Sequence, residues 1–185
     1  DDPDRQATDA LRWGPPHGSL LICGSIGSGV TSTLATISHH LAMPGPLTQA
    51  VHCYVIDAVG SDMLATLGSA PTIGGVVRIH ETERLQRLIG RLGRTVRQRI
   101  ATGGRMDDEP WIVLIVDGLN ETRAALDETR SSDVLDELDM VLASGAHAGV
   151  VTVAGTARPS GIPASVASAF AHRWVLHLRD AHESV

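Results

Sequence analysis

The chain has 185 residues, of which 43% are hydrophobic and 19% charged, enough for one globular domain with a sizeable core. No apolar run approaches the roughly 20 residues of a membrane span, and no leading stretch has the pattern of a signal peptide. A net charge of −6 argues against a free-standing nucleic-acid binder, which carries a basic excess.

The 15 basic residues are all arginine, and the chain contains no lysine. Its two cysteines, Cys23 and Cys53, each lie inside an apolar run. They are expected to be reduced, buried, small hydrophobes rather than metal ligands. The opening "DDPDRQ" looks like a cut from something longer.

In chain order, residues 1–18 are polar and turn-rich and read as a leading segment, with residues 19–185 as a single domain. "SLLIC" (19–23) is a short apolar run suited to a covered parallel strand. Residues 30–42 predict a helix with Leu34, Ile37 and Leu41 on one face, ended by "PGP" at 44–46. The adjacent His39 and His40 fall at its end. "VHCYVID" (51–57) is a second strand, and 61–67 a short helix with Ser61 as its N-cap.

Residues 70–80 read as a turn and a strand. From 81 to 102 the period is strongly helical, with Leu85, Leu88, Ile89, Leu92, Val96 and Ile100 as the apolar stripe. Arg84, Arg87, Arg91, Arg94, Arg97 and Arg99 cover most of the rest as a solvated face. "WIVLIVD" (111–117) is the most hydrophobic strand, and no regular element is assigned between 118 and 130. Residues 131–144 predict a helix with Val134, Leu135, Leu138, Val141 and Leu142 inward. A strand at 148–156, a short helix at 163–170 and a last strand at 172–180 complete the chain.

This alternation implies an α/β fold, a mostly parallel sheet flanked by helices on both faces. Ligands of such sheets bind at the carboxyl ends of the strands. Gly24, Asp57, Asp117 and Thr156 all fall at predicted strand ends and should converge on one edge. Asp57 suits two roles equally there, ordering that edge or capping the next turn.

The segment "GSIGSGVT" (24–31) has the spacing of a phosphate-binding loop, G-x-x-x-x-G-K-[ST], between a strand and a helix. Gly24, Ser25, Gly27, Ser28, Gly29, Val30, Thr31 and Ser32 are its candidate nucleotide-binding residues. Main-chain N–H groups and the helix N-terminus can cradle phosphate without any side chain. Thr31 can offer its hydroxyl to Mg²⁺. Val30, at the lysine position, offers nothing polar. Losing that charged hydrogen bond, about 1.5–3 kcal/mol, weakens binding roughly ten- to a hundredfold. The expected cost to phosphoryl transfer is larger still.

Asp117, at the end of an apolar strand, is the candidate second Mg²⁺ ligand. The glutamate that often follows it is replaced by Gly118, and Glu121 is expected to fall short of the site. Both features predict ATP hydrolysis that is weak or absent. Arg158, just past Thr156, is a candidate phosphate sensor. Arg173 and Arg179 suit a subunit contact or a solvated strand edge, and Trp13 could lie against a nucleotide base.

With these motifs in order, the chain resembles the FtsK/SpoIIIE family of P-loop motor ATPases, which have a RecA-like fold. Within that family it is most similar to the tandem ATPase domains of EccC-type proteins of type VII secretion. The stretches that carry the resemblance are "GPPHGSLLICGSIGSGVTSTLATI", "YVIDAVGSDMLATLGSAPTIGGVV", "IVLIVDGLNETRAAL" and "SGAHAGVVTVAGTARPSGIPASVASAFAHRWVLHLRDAHES". The "VDG" form of the second motif accounts for Gly118.

The resemblance implies a degenerate ATPase domain, excised from a multidomain protein anchored at the cytoplasmic face of the membrane. It implies ATP and Mg²⁺ as cofactors. The implied partners are other ATPase domains of the same chain, a secreted substrate protein, and further copies in a homo-hexamer. Two rival readings stand beside it. One is a DNA translocase domain, against which the acidic balance argues. The other is a nucleotide-free protein-interaction module.

Overall fold

The computed structural model describes residues 11–43, 50–128 and 132–177. The "PGP" stop at 44–46, the first ten residues of the leading segment, the end of the last strand and Arg179 lie outside them. The strands are β1 (Leu20–Cys23), β2 (Val51–Asp57), β3 (Ile73–Arg78), β4 (Trp111–Asp117), β5 (Val150–Thr156) and β6 (His172–Val175). The helices are α1 (Val30–Ala42), α2 (Asp62–Ala65), α3 (Thr82–Ala101), α4 (Leu119–Glu128), α5 (Ser132–Ser144) and α6 (Ala164–Ala167).

The strands form one sheet in the order β3-β2-β4-β5-β1-β6, and every pairing is parallel. Alternate residues of each strand feed opposite faces. On β4, Ile112, Leu114 and Val116 pack with α3, α4, α5 and α6, whereas Val113 and Ile115 pack with α1 and α2. Burial of both faces is why β4 reads as a continuous apolar run. Each such Val, Leu or Ile contributes about 1.5–3 kcal/mol by leaving water.

Most expected elements are present, with local differences. The helix at 61–67 is α2 followed by a 3₁₀ turn, Thr66–Ser69, and Ser61 caps it by accepting from the Met63 N–H at 3.2 Å. The strand expected from 148 begins at Val150, because Gly145–Ala148 form a 3₁₀ turn that ends at Gly149. The helix at 163–170 is one α turn, Ala164–Ala167.

Two expectations need correction. Residues 119–128, left without an element, form α4, with Leu119, Thr122 and Leu126 buried at helical spacing. On α3 the stripe ends at Arg99, not Ile100. Arg99 is buried and Ile100 is 48% exposed. The guanidinium donates to the carbonyls of Ala148 and Pro110, each at 3.0 Å, and its Nε lies 3.2 Å from Glu109 as an ion pair without hydrogen-bond alignment. Position 99 continues the 85–89–92–96 face, so the helical period turns it inward whatever its charge.

The register fixes where the strand ends meet. Cys23 pairs with Thr156, Asp57 with Asp117, and Asp117 with Gly155. The carboxyl ends of β1, β2, β4 and β5 therefore form one continuous edge, as expected. Among the described residues no helix is long and apolar enough to cross a membrane.

Candidate functional site

A cleft of about 440 Å³ opens along that edge. Its floor begins at the turn between β1 and α1. Gly29, which precedes the first helical residue, has φ +99°, a left-handed conformation that side chains rarely tolerate. Gly24 is required for space: an added Cβ would lie 2.2 Å from the Ser28 hydroxyl oxygen and 3.0 Å from a Val30 methyl. The Ser28 N–H closes the turn onto the Ser25 carbonyl at 2.9 Å. Ser25 is anchored from the other side, its N–H and hydroxyl both donating to the His177 carbonyl at 2.9 Å.

The N–H groups of a helix's first turn lack carbonyl partners within the helix. Here they belong to Val30, Thr31 and Ser32, all of which line the cleft. Together with the loop amides they form an electropositive main-chain surface able to hold an anion. The Val30 side chain adds no charge. Its methyls lie against Gly155 and Gly24, where an added Cβ would approach them to 2.6 and 3.0 Å, and it packs on the core beneath α1.

On the β4 side, the Thr31 hydroxyl donates to Asp117 Oδ2 at 2.8 Å. Burial pushes the Asp117 carboxyl up from its ordinary value; the Thr31 hydroxyl pulls it back, and the carboxylates of Asp57 and Glu121 push it further up. Asp57 itself is 1% exposed and caps the following turn, its Oδ1 accepting from the N–H groups of Val59, Gly60 and Ser61 at 3.2, 2.6 and 3.2 Å. Its other oxygen is buried without a hydrogen-bond partner. Asp57 thus caps the turn while its charge acts on the site through Asp117.

Thr31 and Asp117 supply two hard oxygen donors already in contact. No group of three His, Cys, Asp or Glu side chains suited to a metal occurs among the described residues. The donor set therefore fits Mg²⁺ as it is usually held, by few protein ligands plus phosphate and water. It does not fit a cation caged by protein alone.

Glu121 reaches the cleft, contrary to the expectation. Gly118 has φ +86°, so α4 starts immediately after β4 and its first turn folds back over the strand end. Glu121 is half-buried, lines the cleft, and has Oε2 3.1 Å from where a Gly118 Cβ would sit. Beside it, Asn120 Nδ2 donates to the Arg158 carbonyl at 2.7 Å and to the Thr156 hydroxyl at 3.3 Å. Asn120 thereby ties α4 to the turn after β5. Sequence reasoning missed Asn120 and placed Glu121 out of reach. The signal was available in the i, i+3, i+7 spacing of Leu119, Thr122 and Leu126.

Among the expected site residues, Gly24, Ser25, Gly27, Gly29, Val30, Thr31, Ser32, Asp117 and Arg158 all line the cleft. Ser28 does not; its hydroxyl is buried beneath the loop with no hydrogen-bond partner. Arg158 is exposed at the rim. Trp13 does not line the cleft. It packs against the core and donates its indole N–H to the Gly18 carbonyl at 2.9 Å. Arg173 lies on the far side of β1, beside a second cavity of about 240 Å³ floored by Leu21 and Cys23.

No protein-family model matches the chain, and no curated protein matches it. Solved structures do. The cytoplasmic domain of the Thermomonospora curvata type VII secretion ATPase EccC superposes with a TM-score of 0.79 and 21% identity, covering 100% of this chain and 23% of that one. ATPases 2 and 3 of EssC from Geobacillus thermodenitrificans give 0.76 and 19%, covering 99% and 36%. ATPases 2 and 3 of T. curvata EccC, solved with a signal sequence peptide, give 0.74 and 21%, covering 91% and 33%. The chain thus spans about a third or less of these three solved chains. Its fold is that of the P-loop ATPase domains of EccC and EssC.

Proposed function

We propose that this chain is a degenerate nucleotide-binding domain of a type VII secretion motor. It acts in assembly or substrate recognition and turns over little or no ATP itself. The observation that carries the reading is the state of the cleft. The main-chain cradle and the Thr31–Asp117 contact are kept, while a core-packed valine stands where the loop's ammonium belongs.

In this reading the N–H groups of Ile26, Gly27, Gly29 and Val30 grip phosphate, those of Ser25 and Ser28 being taken by the His177 and Ser25 carbonyls, and Thr31 and Asp117 hold Mg²⁺, which neutralises phosphate charge when bound. Arg158 senses the phosphate end from the rim. Without the lysine, charge on a transferring phosphoryl group lacks its main stabiliser. The likeness to multi-ATPase EccC and EssC supports partner domains on the same longer chain; a place at the cytoplasmic face of the membrane and further copies in a hexamer are part of the proposal and rest on the family resemblance of the sequence. The signal peptide in one EccC structure supports a secreted protein as the substrate recognised.

Calorimetric titration with Mg-ATP followed by a phosphate-release assay tests the proposal. The expected result is saturable binding with negligible turnover, and binding that tightens roughly ten- to a hundredfold in Val30→Lys. Brisk hydrolysis that survives Asp117→Ala would sink the assigned roles. A melting temperature unmoved by excess Mg-ATP would leave a nucleotide-free interaction module in its place. Salt-sensitive binding of duplex DNA would favour a translocase instead.

A further inference from the structure

The two edges of the sheet are finished differently. At β3 the outward backbone groups are taken by side chains: Glu81 Oε2 accepts from the Arg78 N–H at 2.8 Å, and Arg84 Nη2 donates to the Val76 carbonyl at 3.2 Å. The register also shifts by one residue at Gly74. Such devices keep an edge from pairing with another chain. The β6 edge has none of them among the described residues. The N–H groups of His172 and, one residue past the strand, Leu176 donate to the Ser19 and Cys23 carbonyls at 3.2 and 2.8 Å. Backbone groups alternate in direction along a strand, so those of Arg173 and Val175 point away from β1. β6 is last in the sheet order, and both residues are exposed, Val175 by 53%.

Arg173 and Val175 lie opposite Leu21 and Cys23, so all four share a face, and with Ile162 and Ala164 they line the cavity of about 240 Å³. A strand laid roughly 4.8 Å outside β6 sets alternate side chains over that cavity. One of them meets Val175 and the apolar floor, where an aliphatic group fits. The next on the same face, two residues away, meets Arg173. That guanidinium donates to the Ala167 carbonyl at 3.2 Å and has no carboxylate partner among the described residues. His172 and His177 are also exposed, and residues 172–177 include no acid, in a chain of net charge −6. A second copy paired here through its own β6 would add another guanidinium and no carboxylate, so charge favours an acidic segment over self-pairing.

We propose that the outer edge of β6 is a docking site for an extended segment of another protein, one with an acidic and an aliphatic residue two positions apart. The segment extends the sheet by main-chain hydrogen bonds to Arg173 and Val175, with its aliphatic side chain in the cavity and its carboxylate on Arg173. This surface lies on the far side of β1 from the nucleotide cleft and needs no bound nucleotide, so it stands whether or not the cleft is filled.

The test uses a capped octapeptide in which threonine alternates with glutamate and valine in turn, its lysine-for-glutamate counterpart, and two versions N-methylated on alternate residues. In the unliganded chain the amides of Arg173 and Val175 are expected to exchange with deuterium roughly tenfold faster than that of Trp174, and saturating glutamate peptide to erase the difference. The glutamate peptide should bind roughly fivefold more tightly than the lysine one, and Arg173→Glu should reverse that order. N-methylation of one alternate set should abolish binding and of the other should leave it, because only one set of N–H groups faces β6. Slow exchange of Arg173 and Val175 in the unliganded chain means that the edge is already covered, by the chain itself or by a second copy, and overturns the proposal. So does a glutamate peptide that fails to bind at about 1 mM, that binds no tighter than its lysine counterpart, or that is indifferent to which set is methylated. None of these outcomes bears on nucleotide binding.

Discussion

Val30 and Asp117 both line the cleft beside Gly155 and differ in what their neighbours allow. The methyls of Val30 fill the space left by two glycines, Gly24 and Gly155, so the position is part of the core as much as of the loop. Asp117 is an acid in a setting that disfavours its charge. Burial raises its carboxyl, the Thr31 hydroxyl opposes that, and two nearby carboxylates add to the rise. A carboxyl whose folded pKa lies above its unfolded one contributes stability below the unfolded value, and loses it as pH rises through the folded value. The native chain therefore carries an electrostatic cost at neutral pH. Asp117→Asn keeps an acceptor for Thr31 and removes the charge. The variant is expected to melt higher than wild type at about pH 7, with the difference shrinking toward about pH 3. Thermal melts across that range check it, and a difference independent of pH would refute the cause given.

Helix α3 shows how an element can override the chemistry of its residues. Its stripe ends on a buried arginine, and the cost is offset by two carbonyl acceptors and Glu109. Those carbonyls belong to the segments entering β4 and β5, so Arg99 joins one helix to two strands. Truncation in Arg99→Ala leaves the carbonyls unpaired and is expected to cost about 3 kcal/mol. Lysine cannot replace the planar fork and should rescue little. Ile100→Gln, on the exposed side, is expected to change stability by less than about 0.5 kcal/mol. Urea denaturation measures all three, and a larger loss at Ile100 than at Arg99 would reverse the assignment. The other α3 arginines behave more as a solvated face should. Arg84 pairs with Glu81, Arg87 with Glu83, and Arg97 grips Glu137 of α5 with both nitrogens at 2.6 Å.

At the scale of the whole molecule, the two cysteines report on opening of the sheet. Cys53 lies in β2 between β3 and β4, and burial pushes its thiol up to about 12. Cys23 ends β1 next to the edge strand β6; burial raises its thiol and Arg173 pulls it back. Only a thiolate reacts readily, so neither is expected to label in the native state at about pH 8. Both cysteines lie one strand in from an edge. Under mild denaturant Cys23 should still label before Cys53, because it ends its strand beside the short β6, whereas Cys53 lies within the longer β2. Saturating nucleotide is expected to slow both, since a ligand of the native state lowers the open population. Rapid native labelling of Cys53 would contradict its full burial in β2.

Local order was written in the chain itself. Continuous apolar runs marked the strands, the 3.6-residue period marked α1, α3 and α5, and glycine spacing marked the loop. Those signals depend only on neighbours a few residues away, so the P-loop class and the loop side of the cleft, with Asp117 and Arg158, could be read from them. Tertiary structure decided the rest. Glu121 enters the site because a left-handed Gly118 folds α4 back over β4. Asp57 bears on Asp117 because β2 and β4 lie side by side, although 59 residues separate the end of one from the end of the other. Val30 touches Gly155 because β5 is the neighbour of β1. Each of these contacts is set by strand order, and strand order arises from long-range pairing that no local period encodes.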